Sequence, residues 1–136
     1  MCMTTRAVSE TQAEENQPEF DVFARRCPSR QTMEAVTGRW GVLVIAGLHA
    51  GSMRFSELRR RVDGVSEKML SQTLHTLERD GLVNRVAPAG FPSRVDYSLT
   101  PLGSRVAAEL VDLIELLEGS MPDIMAARER YDRERA

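Results

Sequence analysis

The stretch V-S-E-K-M-L-S-Q-T-L-H-T-L-E-R-D-G, Val65 to Gly81, decides how the rest of the chain is read. Ser66 has the short hydroxyl side chain that accepts from the N–H groups of a first helical turn, and Glu67 suits the positive end of that helix. Val65 before the cap and Leu70 five positions on have the spacing of a hydrophobic staple. Leu70, Leu74 and Leu77 recur at four and three, so they share one narrow stripe. At about 100° per residue, Lys68, Gln72, His75, Thr76 and Arg79 fall on the opposite side, and none of them is acidic. Gly81 ends the helix. Such a helix fits a core with one face in water. It also fits a DNA major groove, which admits a helix and offers donors and acceptors to those side chains. The neighbours decide.

Upstream, R-F-S-E-L-R-R-R-V from Arg54 to Val62 predicts a short strand at Met53 to Phe55 and a helix from about Ser56. Phe55, Leu58 and Val62 share one side of that segment, while Arg59, Arg60 and Arg61 point outward. Asp63-Gly64 is a turn pair, so two short helices meet across a tight turn, which is helix-turn-helix spacing. Downstream, Leu82 to Ala87 is rich in β-branched residues, Pro88 to Ser93 is a loop, and Arg94 to Leu99 alternates with Val95, Tyr97 and Leu99 on one face. Two strands joined directly after a helix-turn-helix make a β-wing.

Farther out, Phe20, Val22 and Phe23 begin a short ordered segment, and a helix runs from about Ser29 to Thr37 behind Cys27-Pro28, ending at Gly38. Trp40 to Ala50 is apolar nearly all round, and its length favours a helix at the centre of the core. Thr100-Pro101 opens a long helix in which Leu102, Val106, Leu110, Leu113, Ile114 and Leu117 repeat at three and four. Ser120 to Asp123 has the pattern of a capping box with Asp in place of Glu, opening a last helix whose charged end is expected to fray. Residues 1–18 are polar and expected to form a flexible tail.

A chain of 136 residues with 42% hydrophobic content supports one domain around one core. Net charge is −2, yet residues 52–94 carry 8 basic and 5 acidic side chains between two acidic ends. That distribution suits a polyanion partner on one face only. The longest stretch without a polar side chain, Trp40 to Leu48, is nine residues, well short of the roughly 20 needed to span a bilayer. With no secretory leader pattern and only two cysteines, a cytoplasmic protein is expected, without membrane association. Two Cys and two His, scattered at 2, 27, 49 and 75, offer no metal cluster. No nucleophile–histidine motif or Gly-rich phosphate loop is present, so neither enzyme activity nor a cofactor is expected.

At residue level the chain resembles the HxlR-type winged helix-turn-helix regulators, bacterial relatives of MarR-like repressors. The matching pieces are Cys27-Pro28, Gly38-Arg39-Trp40, R-F-S-E-L-R-R at Arg54 to Arg60, and G-V-S-E-K-M-L-S-Q-T-L at Gly64 to Leu74. L-E-R-D-G-L-V at Leu77 to Val83 and P-S-R-V-D-Y-S-L-T-P-L-G at Pro92 to Gly103 complete them. The family more often has Gly-Lys-Trp where this chain has Gly38-Arg39-Trp40. The resemblance covers about residues 27 to 118. It implies a mainly α fold with a small β-wing (α+β), a winged helix-turn-helix with N- and C-terminal dimerisation helices. It also implies a homodimeric transcriptional regulator at the bacterial nucleoid, with Ser66 to Asp80 as recognition helix and Pro88 to Arg94 as wing tip. The expected organisation is a tail at 1–18, the DNA-binding domain with its dimerisation helix at 19–118, and a terminal helix at 119–136.

Double-stranded DNA is then the expected partner, read as a pseudo-palindromic operator. Lys68 and Gln72 are four apart and suited to guanine or phosphate and to adenine respectively. Ser66 and Ser71 can donate to phosphates, although Ser66 can equally serve only as a cap and Ser71 only face water. His75 is either a DNA contact or a plain surface histidine. Arg54 and Arg59 are candidate phosphate contacts, as is Arg94, whose alternative is an ion pair with Asp96 or Glu78. Val106, Leu110, Leu113, Ile114 and Leu117 form a stripe too wide for the wing to cover. A second copy covers it, or else the final helix does. Cys27, before a helix and beside Arg25, Arg26 and Arg30, is a candidate redox sensor, with a buried inert thiol as the alternative; Cys2 is a candidate resolving partner only if the tail is retained. Two other functions compete with operator recognition. One is a winged-helix protein-interaction module that never touches DNA; the other is a switch whose main output is Cys27 chemistry. An effector is conceivable, but no polar cluster in the sequence names its class.

Overall fold

A computed structural model of the protein describes residues 19–136. The tail expected at 1–18, and Cys2 with it, lies outside the described residues. Helix α1 (Pro28–Thr37) starts on the proline, whose missing N–H would be unpaired in a first turn anyway. Helix α2 (Gly41–Leu48) is the all-apolar segment, shorter at both ends than its sequence suggested, with Val44, Ile45 and Leu48 at the centre of the core. Strand β1 (Met53–Arg54) leads into α3 (Phe55–Arg61), where the Arg54 N–H donates to the Glu57 carboxylate at 2.9 Å.

Helix α4 (Glu67–Arg79) forms as its sequence requires. Ser66 Oγ accepts from the Met69 N–H at 3.1 Å, and Val65 and Leu70 are both buried, as a staple demands. Leu70, Leu74 and Leu77 are lost entirely to the core. Gly64, in the turn between α3 and α4, has φ +91°, a left-handed conformation costly to any residue with a Cβ. Strands β2 (Val83–Val86) and β3 (Asp96–Leu99) form the antiparallel wing. Each is shorter than the sequence suggested.

The sheet has a third member. Strand order is β1-β3-β2, with Met53 opposite Tyr97 and Arg54 opposite Asp96. The start of the helix-turn-helix is therefore tied to the wing, and the Phe55 and Tyr97 rings reinforce this at a centroid distance of 6.5 Å. Helix α5 (Pro101–Gly119) is capped by Thr100, whose Oγ accepts from the Gly103 N–H at 2.9 Å and donates to the Gly81 carbonyl at 2.6 Å.

Helix α6 (Met121–Glu134) departs from expectation in two ways. The capping box is not formed. Ser120 also ends α5, so its hydroxyl donates back to the Leu116 carbonyl at 2.7 Å and is not offered to the next helix. The charged end does not fray before Glu134, and Arg133 and Glu129 pair one turn apart at 3.7 Å. Among the described residues, no helix is long and apolar enough to cross a membrane.

Candidate nucleic-acid interface

With the leucine stripe of α4 in the core, the opposite ridge is set outward by the helical period alone. Lys68, Gln72, His75, Thr76 and Arg79 are all exposed on it, and Ser71 is exposed at its side. Lys68 and Gln72 stand one turn apart. Ser66 accepts in the cap through a lone pair, which leaves its O–H able to donate. Ser71 and His75 face solvent. The sequence thus named residues that the fold brings together on one surface.

Arg54 and Arg59 are exposed on β1 and α3, and among the described residues neither forms an ion pair. Their charge is available to a partner. Arg94 is differently placed: its Nε donates to both oxygens of Asp96 at 3.2 and 3.3 Å, the pairing weighed as its alternative. The guanidinium also lies 6.0 Å from the Phe91 ring centroid, and the side chain keeps 38% of its surface exposed. The ion pair orients Arg94 without using its terminal nitrogens.

Arg54 and Arg94 line one cleft of about 510 Å³ between the start of α3 and the wing loop, together with Ser56, Phe91 and Ser93. The β1–β3 register makes this cleft, because Arg54 stands opposite Asp96, the partner of Arg94. Sequence reasoning missed Ser56 and Ser93, whose hydroxyls add donors there. A two-residue strand pairing with one far along the chain leaves no local pattern to find.

The long helix divides its stripe. Leu110 is buried inside the protomer and Val106 and Ile114 are half-buried, whereas Leu113, Leu116 (65% exposed) and Leu117 are open. Helix α6 buries none of its residues and leaves Met125 and Tyr131 exposed, so it does not cover them. At the other end, Phe20, Phe23 (89% exposed) and Met33 are also open. An apolar groove of about 620 Å³ lies between α1 and α5, lined by Phe20, Val22, Met33, Val36, Val106 and Leu110.

Cys27 sits at the N-cap of α1, completely buried. Its sulfur accepts from the Asp21 N–H at 3.3 Å and lies 3.0 Å from Ser29 Oγ. It is disulfide-bonded and not a free thiol. Among the described residues, no cluster of His, Cys, Asp or Glu has the makings of a metal site.

Known proteins match this arrangement. The family model described as HxlR-like helix-turn-helix matches residues 35–125. The uncharacterized HTH-type transcriptional regulator YtfH of Escherichia coli (strain K12) is 48% identical over 111 residues, covering 82% of this chain and 88% of the relative. The solved structure of YtfH from Salmonella typhimurium superposes with a TM-score of 0.77 at 49% identity, over 82% of this chain and 99% of the other. The oxidized form of the redox regulator HypR gives a TM-score of 0.62 at 31% identity, over 68% of this chain and 96% of the other.

Proposed function

This chain belongs to the HxlR-like helix-turn-helix family of DNA-binding transcriptional regulators, and we propose that it acts as a homodimeric repressor on a pseudo-palindromic operator. The observation that carries the reading is the exposed ridge of Lys68, Gln72 and His75 on α4, with Ser71 beside it, flanked by Arg54 and Arg59, which form no ion pair among the described residues. Ridge side chains supply base contacts, and flanking cations supply the sequence-independent part of affinity through phosphates. The cleft holding Arg54 and Arg94 takes the strand nearest the wing. Repression follows from occupancy, since a dimer over a promoter excludes polymerase. Its place of work is the bacterial cytoplasm, on the nucleoid.

A genome-wide footprint of bound DNA tests this reading. An inverted repeat with half-sites about 10 base pairs apart, centre to centre, is expected from two recognition helices one DNA turn apart. Scattered binding with no shared motif, or no binding at low salt, gives way to the protein-interaction reading.

A second reading concerns control. Cys27 is disulfide-bonded at a helix start, and the similar protein HypR is a redox regulator. We infer that thiol–disulfide exchange at Cys27 adjusts DNA affinity: two thiols lose two electrons and two protons to an oxidant as the S–S bond forms, and a cellular dithiol reverses the step.

A further inference from the structure

One flank of α4 carries a cleft that the recognition ridge does not explain. It measures about 460 Å³ and runs between Met69, Gln72, Thr73 and Thr76 on the helix and the Gly38–Gly41 turn, with Arg39 and Trp40 forming the other wall. Met69 and Thr73 lie about a quarter turn from both the buried leucine stripe and the outward ridge, and Thr76 lies between them and the rest of the ridge. That position has a definite meaning in DNA. A helix with side chains is about 10–12 Å across and the major groove about 12 Å wide, so the ridge meets base edges while the flanks meet the groove walls. The walls are the sugar–phosphate strands.

Arg39 lines the cleft across from that flank. It is exposed, its guanidinium carbon lies 4.8 Å from the Trp40 ring centroid, and among the described residues it has no ion pair. The turn that carries it is fixed against α1. A Cβ on Gly41 would stand 1.8 Å from the Ala35 carbonyl oxygen, and one on Gly38 would stand 2.8 Å from that of Glu34. Trp40 is held from the other side by the helix-turn-helix turn, its ring 3.7 Å from where a Gly64 Cβ would be. Glu34, the acidic residue lining the cleft, is engaged by Arg30 at 3.7 Å. A cation stacked on an indole that is itself wedged in place loses little freedom on binding a phosphate.

Building on the reading that α4 enters the major groove, we propose that this cleft seats one sugar–phosphate strand of the operator, with Arg39 as its phosphate clamp. Trp40 is the positioning residue, and Gln72, which belongs to both ridge and cleft, links the clamp to base reading.

The test measures binding of the full chain to operator and to an unrelated duplex across a salt series. Arg39→Ala is expected to weaken both in equal proportion, keep operator preference, and reduce the salt slope by about 1. Between roughly 50 and 200 mM salt, the loss of affinity then shrinks about three- to fourfold relative to the parent. Arg39→Lys should restore the slope, and Trp40→Phe, which keeps a weaker platform, should weaken both duplexes without changing preference. Thermal unfolding run alongside should match the parent for Arg39→Ala, since the side chain is exposed. A parental slope in Arg39→Ala, or a loss confined to the operator, overturns the clamp. A parent that binds no duplex at low salt instead removes the DNA-face reading beneath it, and so separates the two failures.

Discussion

In the proposed interface Lys68 and Gln72 would divide the work of recognition by their chemistry. A lysine ammonium is a point charge that serves guanine or phosphate, while a glutamine amide presents a donor and an acceptor together and can address adenine from both. Replacing both with alanine should abolish preference for the operator, each good base contact carrying about 1–3 kcal/mol of discrimination. Binding to bulk DNA should persist, because Arg54 and Arg59 remain. Competition anisotropy with operator and scrambled duplexes checks this, and retained preference would move base reading elsewhere on the surface. Cys27 bears on control and not on contact. Its sulfur sits at the first turn of α1, against Asp21 and Ser29, on a different element from the α4 ridge, so any effect on DNA binding is expected to travel through α1. Cys27→Ser should therefore bind operator like the reduced parent and no longer release it when a mild disulfide-forming oxidant is added. An unchanged oxidant response in that variant ends the sensing reading.

At the scale of elements, stability and legibility have the same source. The cap, staple and leucine stripe of α4 all lie within Val65 to Leu77, so local sequence suffices to specify the helix. Ser66→Ala should cost about 1 kcal/mol in chemical denaturation by orphaning the Met69 N–H, with Thr unable to lower stability nearly as much. What local sequence did not specify is where elements meet. The β1–β3 pairing joins Arg54 to Asp96 across the whole helix-turn-helix, and two residues cannot display a period. The Arg39 cleft needs α1, the following turn and α4 together, so no one segment announces it. Ser120 shows the converse. Its S-x-x-D pattern was legible as a capping box, yet the helix before it runs straight into Ser120 and takes the hydroxyl for itself. One contact between elements is also severe enough to test. A Cβ on Gly103 would stand 2.0 Å from the Leu82 carbonyl oxygen, where the head of α5 meets the entry to β2. Gly103→Ala should lower unfolding free energy by roughly 1–3 kcal/mol or more through overpacking, against little change for Gly119→Ala, which meets open space.

At the scale of the whole molecule, the described residues leave an apolar surface open. Leu113, Leu116 and Leu117 on α5, Met125 on α6, and Phe23 and Met33 at the N-terminal end are all exposed, and exposed apolar surface on this scale marks an interface. The leucines repeat at helical spacing and α6 does not fold back on them, so a second α5 related by a twofold axis is the simplest cover. In the proposed dimer two α4 ridges would stand side by side, and neighbouring half-sites of an inverted repeat would be engaged at once. Leu113→Asp with Leu117→Asp places charge on that face without touching the core, to which Leu110 and Ala107 contribute. The double variant should keep its helical circular dichroism, sediment as a monomer where the parent sediments as a dimer, and bind operator at least about a hundredfold more weakly, as expected when a second half-site no longer acts at high effective concentration. Affinity for an isolated half-site should be unchanged, which separates lost pairing from a damaged ridge. A variant that still sediments as a dimer would show that the α5 leucines are not the interface, and the apolar groove between α1 and α5, with Phe20 and Met33 in its lining, would be the surface to vary next.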